Sequence, residues 1–133
     1  MSLFRDASNI KLNGNTPSSV YLNGGLIWAY NTFNVTNNGS GNYIINGVSN
    51  STLSVTEGQT YTFNISAVGH PFWIQTTSGA YSSGNVYSSG VTGNGTANGT
   101  ITFIVPYNAP STLYYVCQYH SSMAGTINVT DVP

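Results

Sequence analysis

The sequence predicts an all-β protein, a Greek-key β-sandwich with an N-terminal β-hairpin extension, on three observations. Short apolar runs alternate inward and outward with period two, as in Tyr61-Thr62-Phe63-Asn64-Ile65. These runs are rich in Tyr, Val, Ile, Phe and Thr, residues that pack well on a pleated surface. They are broken at short intervals by Gly, Asn and Ser, which supply turn conformations and interrupt helices. At 133 residues the chain is long enough for one domain with a substantial core and too short for two of ordinary size.

Residues 1–31 are assigned to the extension and residues 32–133 to the sandwich. Within the extension, residues 9–30 read as a ribbon: Ile10-Lys11-Leu12, a turn at Asn13-Gly14-Asn15, Val20-Tyr21-Leu22, a turn at Asn23-Gly24-Gly25, then Leu26-Ile27-Trp28. Asn-Gly and Gly-Gly provide the positive φ angles that tight hairpins require. From Thr32 onward the strands are centred on Phe33-Val35, Tyr43-Ile45, Leu53-Val55, Tyr61-Ile65, Phe72-Ile74, Ile101-Val105, Leu113-Cys117 and Ile127-Val129, with a turn at Glu57-Gly58. Seven or eight strands of this kind suit a Greek-key sandwich. The Gly, Ser, Asn and Thr segment from Ser78 to Gly99 has only Tyr81, Val86, Tyr87 and Val91 as apolar anchors, and is expected to be a surface excursion.

Charge excludes several classes of function. The charged residues are Arg5, Asp6, Lys11, Glu57 and Asp131, for a formal net charge of -1. No basic patch is present to grip nucleic acid, and a partner must be met through apolar and hydrogen-bonding surface rather than by long-range steering. The single cysteine rules out an internal disulfide. The start, Met1-Ser2-Leu3-Phe4-Arg5-Asp6, has no apolar stretch of signal-peptide length. No later segment is long enough to span a bilayer, so membrane insertion is not expected.

The chemistry concentrates in two stretches. One is Gly69-His70-Pro71-Phe72-Trp73 and the other Cys117-Gln118-Tyr119-His120-Ser121-Ser122-Met123, which together hold the only cysteine and both histidines of the chain. Two imidazoles, one thiolate and one thioether form a soft donor set that suits a blue-copper electron-transfer site. Cys117 falls at a strand end, His120 and Met123 in the turn that follows, and Gly125 begins the return strand. His70 lies where one strand ends and the next begins, from where it can close the site from the opposite sheet or an adjacent strand. Copper is favoured over zinc because a thioether favours Cu(I), and because no further Cys, His or carboxylate lies near to complete a structural zinc site. Singly, each residue has a blander reading: Cys117 as a small buried hydrophobe, a histidine as a packed core residue, Met123 as gap filling. Phe72, Trp73, Tyr114, Tyr115 and Tyr119 read as core and site-wall residues.

The spacing Cys-x2-His-x2-Met with an upstream Gly-His-Pro-Phe-Trp-Ile segment resembles the cupredoxins, the type 1 blue-copper family, in a variant with a short ligand loop. The resemblance covers about residues 32 to 131. The stretch from Gly90 to Gly95 and on to Gly125-Thr126-Ile127 further resembles cupredoxin-like domains of bacterial and bacteriophage proteins. The resemblance implies one type 1 copper per chain, with His70 and His120 as imidazole ligands, Cys117 as the short thiolate ligand and Met123 as the weak axial one. It implies one-electron transfer rather than enzymatic turnover, with the electron leaving through His120 toward a redox partner docked on a small uncharged face of Pro71, Ser121, Ser122 and Ala124. Multicopper oxidases and copper nitrite reductases need additional histidines, and both of this chain are already used. In the family, the residue after the first histidine commonly donates its N–H to the copper-bound sulfur. Here that residue is Pro71, which has no N–H, and a reduction potential toward the lower side of the family is expected.

A second reading assigns the sandwich to interaction or virion structure, with copper as a staple or an incidental inheritance. The ribbon at residues 9–30 would then serve homo-oligomerisation or virion assembly by strand addition.

Overall fold

The computed structural model describes residues 17–22 and 25–131. Of the expected ribbon, the strand at Ile10–Leu12, the turn at Asn13-Gly14-Asn15 and the residues Asn23-Gly24 lie outside these. Its remaining two strands, β1 (Pro17–Leu22) and β2 (Gly25–Tyr30), pair antiparallel from Pro17↔Tyr30 to Leu22↔Gly25 and form a two-stranded sheet of their own.

The remaining strands make two sheets. The first contains β3 (Thr32–Asn38), β4 (Asn42–Ile45), β5 (Val48–Ser49), β7 (Thr60–Ser66), β9 (Val91–Thr92) and β10 (Asn98–Ile104), in the order β5-β4-β3-β7-β10-β9. The second contains β6 (Leu53–Thr56), β8 (Phe72–Gln75), β11 (Thr112–Cys117) and β12 (Ala124–Thr130), in the order β6-β12-β11-β8. Pairing is antiparallel except between β3 and β7 and between β6 and β12, which run parallel. Among the described residues the only helical element is a 3-10 turn at Ser83–Asn85, and no helix is long and apolar enough to cross a membrane.

All eight expected strands of the sandwich are present, and two short ones accompany them. The strand β5 follows Asn46-Gly47, both at positive φ (48° and 87°), which is the dipeptide that favours two-residue hairpins. The alternation seen in the sequence becomes burial: in β7, Tyr61, Phe63 and Ile65 are buried while Asn64 and Ser66 are exposed. The inward faces of both sheets meet in a core of aromatic and branched side chains. At its centre Phe72 stacks on Tyr115 with ring centroids 5.0 Å apart, and Tyr43 and Phe63 pack against Phe72 at 5.1 and 5.6 Å. The Tyr115 phenol passes over Gly125, where a Cβ would collide with it, and its hydroxyl donates to the carbonyl of Ser51 at 2.6 Å.

Residues 78–99 run over the surface as expected, none of them buried, and they are stitched to the sheets. β9 pairs with β10, Val86 bridges to Gln75 and Thr96 to Phe72. The Asn94 side chain imitates a strand, accepting from the Ile74 N–H at 2.8 Å and donating to the Ile74 and Tyr87 carbonyls, each at 3.1 Å. Tyr119, read as a core or site-wall residue, is 66% exposed. It lies in the bend just past β11, where the strand alternation that would turn it inward no longer applies.

Candidate metal centre

Each of the two segments that carry candidate ligands is placed by a strand end. β8 lies at the edge of the four-stranded sheet, paired with β11 in a register that sets Phe72 opposite Cys117 and Trp73 opposite Val116. His70 precedes β8 by two residues and follows the end of β7 in the other sheet, so its turn carries the chain from one sheet to the other. Gly69 takes the positive φ (85°) this crossing requires. His70 thus lies in the crossing between the two sheets, two residues before the strand that pairs with β11.

On the other side, β11 ends at Cys117 and β12 begins at Ala124, one residue earlier than expected. The intervening loop closes on itself: the Cys117 N–H donates to the Met123 carbonyl at 2.9 Å and the Met123 N–H to the His120 carbonyl at 3.1 Å. The Gln118 N–H donates to the Pro71 carbonyl at 3.0 Å, joining the two ligand segments through their backbones. Across the same seam the Trp73 indole N–H donates to Gln118 Oε1 at 3.0 Å.

The fold brings His70, Cys117 and His120 together. Cys117 Sγ lies 3.7 Å from His70 Nδ1 and 3.6 Å from His120 Nδ1, and the ligand atoms of the three residues all lie within 4.8 Å of one another. The imidazole centroids are 5.0 Å apart with planes inclined at 45°. Cys117 is 1% exposed, Met123 is fully buried in the core, and both histidines are half-buried. Met123 enters the core from the loop that carries Cys117 and His120.

The donor spacing fits a metal. For bonds of about 2.3 Å to sulfur and 2.0 Å to nitrogen, a shared ion requires an S···N separation of about 3.5 Å in a tetrahedral and 3.7 Å in a trigonal arrangement. Both measured separations fall at that spacing. The residues are also chemically apt, since a cysteine sulfur and two imidazoles are a donor set that suits copper.

Two residues of the site were not legible in the sequence. Tyr43, on β4, donates its hydroxyl to the His70 carbonyl at 2.7 Å. Burial above all, then the charge and hydrogen-bonding influence of Cys117 and the charge of Tyr115, push the Tyr43 phenol far above its ordinary range. Asn50, just past β5, donates from Nδ2 to the Ser122 carbonyl at 3.0 Å, inside the ligand loop. Tyr43 gave only the signal of an inward-facing strand residue, and Asn50 only that of a turn residue.

No protein-family model matches the chain, and no curated protein matches it by sequence. Solved structures do match. Rusticyanin from Thiobacillus ferrooxidans is 24% identical over 74% of this chain and 75% of its own, with a TM-score of 0.53. Reduced rusticyanin gives 24% identity, 74% and 77% coverage and a TM-score of 0.52. A further structure of the copper protein rusticyanin gives 20% identity, 84% and 86% coverage and a TM-score of 0.56. With its two sheets and this likeness, the chain has a cupredoxin-like β-sandwich fold.

Proposed function

We propose that the protein is a mononuclear type 1 copper protein that accepts and donates one electron, with His70, Cys117 and His120 as the strong ligands and Met123 as the weak axial one. The observation that carries this reading is the convergence of the two imidazoles on the Cys117 sulfur, with both S···N separations at the spacing a shared metal needs. The copper would supply the one-electron couple. The chain's own contribution is a ligand set fixed on strand ends, which limits rearrangement between oxidation states. The core excludes water from the sulfur side, while His120 is half-buried and reaches toward solvent.

Around His120, Ser121 and Ser122 are exposed, Pro71 is half-buried, and Tyr119 adds an exposed ring. This uncharged face is the proposed docking surface for a redox partner, in a weak encounter nearly insensitive to salt. A role of residues 9–30 in self-association by strand addition is also proposed. Mass in solution with and without residues 1–30 tests it: an oligomer that becomes monomeric on truncation is expected, and a monomer in both forms refutes it.

Titration of the purified chain with Cu(II), followed by visible absorption and electron paramagnetic resonance, tests the copper reading. An intense thiolate-to-copper band that bleaches with ascorbate and is absent in Cys117→Ala is expected. A folded protein that develops no such band refutes it.

A further inference from the structure

The hairpin formed by β4 and β5 belongs to the six-stranded sheet, yet two of its polar groups end on the backbones of the two ligand segments in the metal centre. The Tyr43 hydroxyl holds the carbonyl of His70 itself. The Asn50 amide holds the carbonyl of Ser122, the residue before Met123. Tyr43 and Asn50 are in turn bonded to each other. The Tyr43 N–H donates to Asn50 Oδ1 at 3.0 Å, and the Asn50 N–H donates to the Tyr43 carbonyl at 2.7 Å. A continuous path therefore runs from the His70 carbonyl through Tyr43 and Asn50 to the Ser122 carbonyl.

Neither contact is casual. The second Nδ2 proton of Asn50 goes to Asn42 Oδ1 at 2.9 Å, so both amide donors and the amide oxygen are engaged, and the backbone takes a positive φ of 44° to aim them. Tyr43 is fully buried, so its hydroxyl needs a partner, and the His70 carbonyl provides one. Ser122 is also tied to the turn between β3 and β4, its hydroxyl donating to the Ser40 carbonyl at 3.3 Å.

We propose that Tyr43 and Asn50 are positioning residues of the metal centre, one holding the His70 turn and the other the 117–123 loop, so that the ligands stand in place before a metal arrives. As a statement about copper, this rests on the reading given above. Outer hydrogen bonds of this kind orient metal ligands and tune the metal they hold.

Tyr43→Phe and Asn50→Gly in the full chain test the proposal. Glycine is chosen at 50 because it keeps the positive φ while removing the amide. The first readout is amide hydrogen exchange of the metal-free protein. Exchange about tenfold faster is expected at His70 in Tyr43→Phe and at Met123 in Asn50→Gly, the loss of one hydrogen bond at each. Exchange at Phe63 and Ile101, in the β7–β10 ladder, is expected to stay unchanged. The second readout is the copper-loaded spectrum and potential, where both variants are expected to move the thiolate-to-copper band from its wild-type position. Unchanged local exchange in both variants overturns the proposal, as does a wild-type band and potential in both. A wild-type chain that binds no copper refutes the copper reading alone, and the exchange rates still decide whether the clasp exists.

Discussion

The amide of Cys117 donates to the carbonyl of Met123 at 2.9 Å, so the two ends of the loop carrying three proposed ligands are fastened to each other. The β11–β12 ladder continues directly from this bond through Val116↔Ala124. The loop therefore inherits the rigidity of an antiparallel pair in the interior of a sheet. A thiolate, an imidazole and a thioether on so short a closed loop have few arrangements open to them, which is the condition for a site whose geometry is imposed by the protein.

Met123 is fully buried, so Met123→Leu is close to volume-conserving and is expected to cost less than about 1.5 kcal/mol of stability. In the copper form it replaces a polarizable sulfur beside the metal with a wholly apolar side chain, and a less polar surrounding disfavours Cu(II), the more highly charged state. The reduction potential is expected to rise by on the order of 40 mV, the one-electron equivalent of roughly 1 kcal/mol. A redox titration that finds the potential unchanged removes Met123 from the ligand set.

Pro71→Ala restores an N–H beside His70 while leaving the carbonyl that accepts from Gln118. A sulfur that gains a hydrogen bond donates less to Cu(II), so a higher potential is expected in a variant with an intact site. If the potential of such a variant does not rise, the missing N–H is not a tuning element of this centre.

Phe72 is fully buried among Tyr43, Phe63 and Tyr115, and it pairs with Cys117 across the β8–β11 register. Phe72→Ala leaves a cavity between the two sheets directly beneath the ligands. Denaturant unfolding of the metal-free protein is expected to show a loss of about 3–5 kcal/mol, a large share of a domain stability of roughly 5–15 kcal/mol. A loss below about 1 kcal/mol would mean the core collapses around the gap without cost, contrary to its close packing.

Burial raises the pKa of both Tyr43 and Tyr115 above the ordinary phenol value. The folded chain then keeps protons that the unfolded chain releases once the pH passes about 10, so stability is full below that pH and falls above it. Each tyrosine contributes a slope of about 1.4 kcal/mol per pH unit in that window. Urea unfolding between pH 9 and 11.5 is expected to show this decline, and Tyr115→Phe to remove one tyrosine's share of it. A stability that does not change across the window contradicts the burial of these phenols.

What could be read from the sequence was local. The period-two alternation in Tyr61-Phe63-Ile65 and the Gly and Asn punctuation dictate strands and turns, because a pleated chain must send successive side chains to opposite faces. The donor set His70, Cys117, His120 and Met123 was also legible, because Cys117, His120 and Met123 are close in sequence and the chain has no other cysteine or histidine to offer. Even β5 left a sign in Asn46-Gly47. The tertiary structure alone decided what meets across long separations. It set His70 against Cys117, 47 residues away, by making its turn the crossing between sheets. It also brought Asn50 to Ser122, 72 residues away, and turned Tyr43 from an ordinary inward-facing residue into one that holds a ligand's carbonyl. A strand pattern states which face a side chain takes but not which partner waits there, since that depends on sheet order and register, and both are properties of the packed chain.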